Sequence, residues 1–175
     1  MTIPQFTVGQ VLTAAELNAM VDAINAGGAV KVEKFTASGT WTVPAGVVYA
    51  VAHIQAGGGG VSRGAQGGTG GTSSVAFAGG TVSASGGVGG YIYYHNLAIT
   101  EQAGAANSGL GAIATGVGST ANDVNTYLGG NGALITAGAA VTPEASITVT
   151  VGAGGTASNG GTGGTGYVWI EYAGG

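Results

Sequence analysis

The sequence predicts a mainly β fold. It reads as a small glycine-rich, β-sandwich-like domain with polyglycine II-type segments, preceded by one short N-terminal amphipathic helix. Three observations carry this. Period-two apolar stretches lie at both ends of the body. The doubled triplet Gly-Gly-X recurs at three separated places. A helix-start signature opens the chain, ahead of a pair of glycines.

The helix comes first. Thr13-Ala14-Ala15-Glu16 is a capping box: the Thr13 hydroxyl can accept from the backbone at the helix start while Glu16 reaches back. Leu17, Met20, Val21 and Ile24 follow at i, i+3, i+4 and i+7, one apolar stripe. Gly27-Gly28 ends it. A helix of about three turns is marginal alone in water, so the stripe needs a partner. Residues 1–28 therefore read as a segment for attachment or oligomerisation through Leu17, Met20, Val21 and Ile24. Docking onto the chain's own body is the other reading. Residues 29–175 form the glycine-rich β domain.

Strands are expected over 31–35, 39–43, 47–56, 145–151 and 166–172, where apolar and polar residues alternate between Ser-Gly or Pro-Ala-Gly breaks. Ile147, Val149 and Val151 share one face, as do Val168, Ile170 and Tyr172. Trp41 and Trp169 read as core or sheet-packing residues.

The triplets are Gly67-Gly68-Thr69-Gly70-Gly71-Thr72, Gly86-Gly87-Val88-Gly89-Gly90-Tyr91 and Gly160-Gly161-Thr162-Gly163-Gly164-Thr165. A period of three fits neither helix nor strand. It fits the extended left-handed helix with three residues per turn and no internal hydrogen bonds. Bare glycine columns then let backbones approach, and their N–H and C=O groups can bond sideways. Glycine makes up 39 of 175 residues, about three times the usual ~7%. Disorder is the common reading of such a level, but 45% of the residues are apolar and only ten are charged, which argues for order.

Less glycine-rich inserts lie near 91–108 and 119–128. A six-residue glycine run spans about 19 Å, enough to carry inserts to one end of a small domain. Tyr91, Tyr93, Tyr94, His95 and Asn96 form the first candidate recognition surface, because tyrosines offer flat apolar area and a hydroxyl at low entropic cost. Its alternative is a strand in which Tyr91, Ile92 and Tyr93 pack inward. Asn122, Asn125 and Tyr127 form the second, with a polar turn as its alternative.

Other chemistry is thinly supplied. Lys31, Lys34 and Arg63 are the only fixed cations, against a net charge of −4, so no nucleic-acid partner is expected. The chain has no cysteine, the two histidines and seven carboxylates show no metal-ligand spacing, and Glu101 and Asp123, on adjacent inserts, are the one pair of acids that could in principle converge. No catalytic residue, metal or cofactor is expected. His53, between Ala52 and Ile54, reads as a sheet-face histidine. No secretory signal and no membrane-spanning stretch are expected either.

The stretch Ser38-Gly39-Thr40-Trp41-Thr42-Val43-Pro44-Ala45-Gly46, followed by a strand and four glycines, resembles the glycine-rich domain of bacteriophage tail-fibre and receptor-binding proteins. So does the run from Ser146 through Gly155 into the strand ending at Tyr172. Residues 4–19 are similar to the opening of phage fibre proteins, which joins the fibre to the tail. The triplets resemble the polyglycine sandwich of fibre-tip adhesins. The resemblance implies a non-enzymatic virion protein made in the host cytoplasm. It would join another tail or baseplate protein through residues 1–28, bind a host-surface glycan or outer-membrane protein through its inserts, and form a homotrimer. Two other classes stay open: a purely structural tail or baseplate component, and an ice-binding glycine-helix protein displaying Thr69, Thr72, Thr162 and Thr165.

Overall fold

The computed structural model describes residues 29–92, 99–104, 109, 113–116 and 126–174. The expected helix and its stripe lie outside the described residues. The described chain is mainly β, with antiparallel sheets.

One four-stranded sheet joins β1 (Val30–Phe35), β13 (Tyr167–Ala173), β3 (Tyr49–Gln55) and β11 (Leu134–Ala140) in that order. The other joins β2 (Gly39–Thr42), β12 (Ser146–Thr150), β5 (Ser73–Phe77) and β6 (Gly80–Ala84). All their pairings are antiparallel. Alternation sorts the faces. On β13, Val168 and Ile170 are buried; on β12, Ile147 and Val149 are. Together with Ile54, Trp41, Val75 and Phe77 they form one core shared by both sheets. Each buried aliphatic side chain there contributes about 1.5–3 kcal/mol.

The five expected strands are all present, each displaced by two residues or fewer at its ends. The β5–β6 hairpin and β11 are additions. They lie in the region read as glycine scaffold, where Ala, Ser and Gly dilute the strand signal.

Six of these strands run on into glycine-rich segments. Residues 57–60 follow β3, 85–90 follow β6 and 152–156 follow β12, while 67–72 lead into β5, 129–133 into β11 and 160–166 into β13. The segments bond sideways. Within 57–61, successive N–H groups donate to Gly71, Gly164, Gly130, Gly68 and Gly161. The first and fourth acceptors lie on one neighbouring segment and the second and fifth on another, so the recipient recurs after three residues. The carbonyls of Gly57 and Gly60 accept from Gly87 and Gly90, and that of Gly58 from Gly155. Segment 57–60 is therefore central.

Around it the neighbours bond to one another in a ring. Gly70 N–H donates to Gly87, Gly130 to Val88, Gly132 to Gly109, Gly109 to Thr165, Gly163 to Gly155, and Gly71 to Ala153. Gly109, from the insert, closes the circle. These bonds measure 2.7–2.9 Å. The packing permits no side chain on the inner columns: a Cβ on Gly59, Gly70, Gly86, Gly89 or Gly163 would land on a neighbour's carbonyl. Outward columns carry Thr69 and Thr72, Ser85 and Val88, Ala153 and Thr156.

The candidate recognition end

The glycine segments fix where the inserts go. All six leave the core in the same direction, and 61–66, 91–128 and 157–159 join them in pairs; of the long connection, the residues of β7 and β10 stand at the far end while Gly104 and Gly109 bond back to Thr162 and Thr165. Ala29 lies at the opposite end, because Val30 pairs with Ala173 at the end of β13 remote from segment 160–166.

At the far end stands a three-stranded sheet: β10 (Thr126–Tyr127), β7 (Gly90–Ile92) and β4 (Val61–Arg63). β4 continues segment 57–60 and β7 continues segment 85–90. Gly87 bonds to Gly57 and Gly90 to Gly60, so the two segments run the same way. Their continuations accordingly pair in parallel, with Ser62 opposite Tyr91 and Arg63 opposite Ile92. β10 pairs antiparallel on the other side of β7, with Tyr127 opposite Tyr91. The two candidate inserts, 36 positions apart at these tyrosines by their numbers, thus meet across one ladder.

Val61, Ser62 and Ile92 are buried and Tyr91 is half-buried. Tyr91 and Ile92 lie in a strand, with Ile92 buried and Tyr91 half-buried. Gln66 bridges to Tyr91 through the backbone, and its Nε2 donates to the Gly89 carbonyl at 3.3 Å. Gly64 turns the connection back with φ of 68°, in the left-handed region glycine tolerates. Its N–H donates to the Ile92 carbonyl. The third connection is tied in by Ser158 N–H donating to Ser62 Oγ at 3.1 Å.

Tyr93, Tyr94, His95, Asn96, Asn122 and Asn125 lie outside the described residues, as do Leu17, Met20, Val21 and Ile24. β8 (Ile99–Gln102) and β9 (Ile113–Gly116) form an antiparallel pair within the larger insert. The sequence reading passed over Ser62, Arg63 and Gln66. A three-residue strand bounded by Gly60 and Gly64 gives almost no periodic signal.

No family model, no curated protein and no solved structure matches this chain.

The other cluster of polar side chains lies on the outer face of the β1–β13–β3–β11 sheet. His53 stacks on Trp169, with centroids 4.4 Å apart and planes 6° apart, and Tyr167 lies 5.4 Å from Trp169. His53 Nδ1 and Thr136 Oγ1 share a 3.0 Å hydrogen bond, and Nε2 stands 3.6 Å from Glu171 Oε1. Trp169 Nε1 also donates to Glu171 Oε1 at 3.2 Å. The imidazole is held by a hydroxyl and an indole face, as a packing element of the sheet, and its buried Nε2 makes no hydrogen bond. Among the described residues no group of three His, Asp or Glu could hold a metal ion, and no helix is long and apolar enough to cross a membrane.

Proposed function

We propose that this chain is a bacteriophage tail-fibre tip protein that joins the tail through residues 1–28 and binds the host cell surface at its opposite end, without enzymatic activity. The observation that carries the reading is the separation of the ends. The described chain enters beside Ala173, while the connections between glycine segments leave the shaft at the other end, at Val61, Tyr91 and Ala157. An adhesin needs such a layout: one end fixed, the other presented.

In this reading the fold is a β-sandwich whose strands continue into a polyglycine II lattice, seven chains in cross-section with one at the centre. The lattice is a spacer whose rigidity comes from backbone hydrogen bonds between neighbours. It holds Tyr91 and Tyr127 side by side and carries Tyr93, Tyr94, His95, Asn96, Asn122 and Asn125 on the adjoining inserts. The ligand is a glycan or an outer-membrane protein of the host, met by aromatic faces and amide groups. The chain forms a homotrimer. The similarity of residues 38–46 and 146–172 to phage glycine-rich domains supports the same reading.

Replacing Tyr91, Tyr93 and Tyr94 together by Ala should leave particles intact and reduce phage adsorption to cells by about 100-fold, the scale of losing two anchors worth over 1 kcal/mol each. Full adsorption by the triple variant would favour a purely structural tail component. Deleting residues 1–28 should give a folded body that no longer incorporates into particles. Incorporation of the truncated chain would refute the anchoring role.

A further inference from the structure

The outer face of the β1–β13–β3–β11 sheet is open, and its open side is apolar where β1 enters. Val30 is 67% exposed and Val32 47% exposed. Directly opposite residues in an antiparallel pair share a face. Val32 stands opposite Glu171 and Lys34 opposite Trp169, so these side chains border one groove. Tyr167 extends its aromatic wall, and the groove measures about 580 Å³. The inner face of the same sheet is already covered by the second sheet.

We infer that the groove is the seat of the chain's own N-terminal helix, with Leu17, Met20, Val21 and Ile24 turned onto Val32, Tyr167 and Trp169. Four observations converge on this occupant. The chain preceding Ala29 arrives at β1, the strand that borders the groove. Gly27, Gly28 and Ala29 make a link of three residues between stripe-bearing helix and strand, within the usual 2–6 for a helix packed on the sheet it feeds. About twelve helical residues at 1.5 Å each span roughly 18 Å. A seven-residue strand such as β13 spans about 23 Å, so the helix fits along the sheet.

Charge agrees as well. Residues 1–28 contain Glu16 and Asp22 and no Lys or Arg, and Lys34 lies on the groove face beside Trp169, with Glu171 as the carboxylate across from it. A helix too short to persist alone thereby gains an apolar floor with one cation, Lys34, on it. The anchoring stretch is correspondingly divided: residues 13–26 clamp the body, and residues 1–12 are left to meet the tail. This seating holds whichever protein those first residues meet.

The chain has no cysteine, which makes the test direct. In the full-length protein, Met20→Cys with Val32→Cys should be joined by a short bis-maleimide into a cross-linked monomer at micromolar concentration. Met20→Cys with Val88→Cys, on the side of the glycine segments, should not. A cross-linked dimer from the first pair would overturn the inference in favour of a second copy as occupant. Absence of any cross-link would overturn it in favour of a foreign partner. A second readout is cleavage after Glu16 by a glutamate-specific protease. Val32→Asp should speed it at least tenfold, because docked residues are cut only when they open. An unchanged rate would equally refute the seating.

Discussion

Gly86→Ala should destabilise the protein by about 4 kcal/mol or more, at the diagnostic end of single-mutant effects. The added methyl would point at the carbonyl oxygen, carbon and Cα of Gly70. Those are backbone atoms, which cannot rotate aside as a flexible side chain can. Relief requires separating the segments, which breaks the flanking bonds from Gly70 N–H to Gly87 and from Gly87 N–H to Gly57. Domains of this size hold only about 5–15 kcal/mol in total, so the variant should melt well below the parent or accumulate insoluble. Gly79→Ala is the matched control. It sits in the β5–β6 turn with open space at its Cβ and φ outside the left-handed region. It should stay within about 0.5 kcal/mol of the parent or gain slightly from a less flexible unfolded chain. Thermal denaturation followed by circular dichroism decides it. Equal melting of Gly86→Ala and the parent would mean that the segments do not pack as described.

Ser73→Ala should cost about 2–3 kcal/mol, far beyond what one lost exposed hydroxyl contributes. Ser73 is fully buried where three segments leave the sandwich. Its Oγ donates to the Gln55 carbonyl at 2.8 Å and accepts from Gly152 N–H at 2.9 Å. Ala leaves both backbone groups short of a partner at a position closed to bulk solvent, and each orphan costs about 1–3 kcal/mol. Neighbouring Gln55 makes the companion tie, its Nε2 donating to Gly132 at 2.8 Å. Native-state hydrogen exchange gives the local signature: the Gly152 amide should exchange much faster in the variant, while Ile54 and Ile170 amides keep their protection relative to the new global stability. An unmoved Gly152 amide would show that Ser73 does not hold the junction.

The sequence carried the sandwich strands well wherever β-branched and aromatic residues alternate, as in Ile147 to Val151 and Val168 to Tyr172. It did not carry β11, whose Ala137, Gly138, Ala139 and Ala140 give no β signal; the strand forms because it pairs residue by residue with β3. Gly138 is small for a reason visible only in three dimensions: the Tyr49 ring lies across it. The triplets announced sideways bonding, and the bonds found repeat with that period. Ring closure was hidden, since Gly109 is a lone glycine inside an insert and only its place between Gly132 and Thr165 gives it meaning. At the far end, the meeting of Tyr91 with Ser62 depends on two segments running parallel, and its meeting with Tyr127 on a strand that returns antiparallel from far along the chain; no local pattern encodes either. The Tyr91 cluster was legible as composition, its neighbour Ser62 was not, and Trp169 proved to face outward onto His53.

Because the bonding pattern of the glycine segments repeats every three residues, their length is quantised. Adding one triplet to each would move the far end outward by about 9 Å, at 3.1 Å per residue, while returning every N–H to the same neighbour. A single added residue would instead rotate all later donors by a third of a turn and leave them aimed at the wrong segments. Insertions and deletions in this lineage should therefore be counted in threes along the shaft, and be free in number within 91–128 only where the β7–β10 pairing and the place of Gly109 in the ring are kept. Such a chain can lengthen its shaft or change the connection between β7 and β10 as separate evolutionary steps.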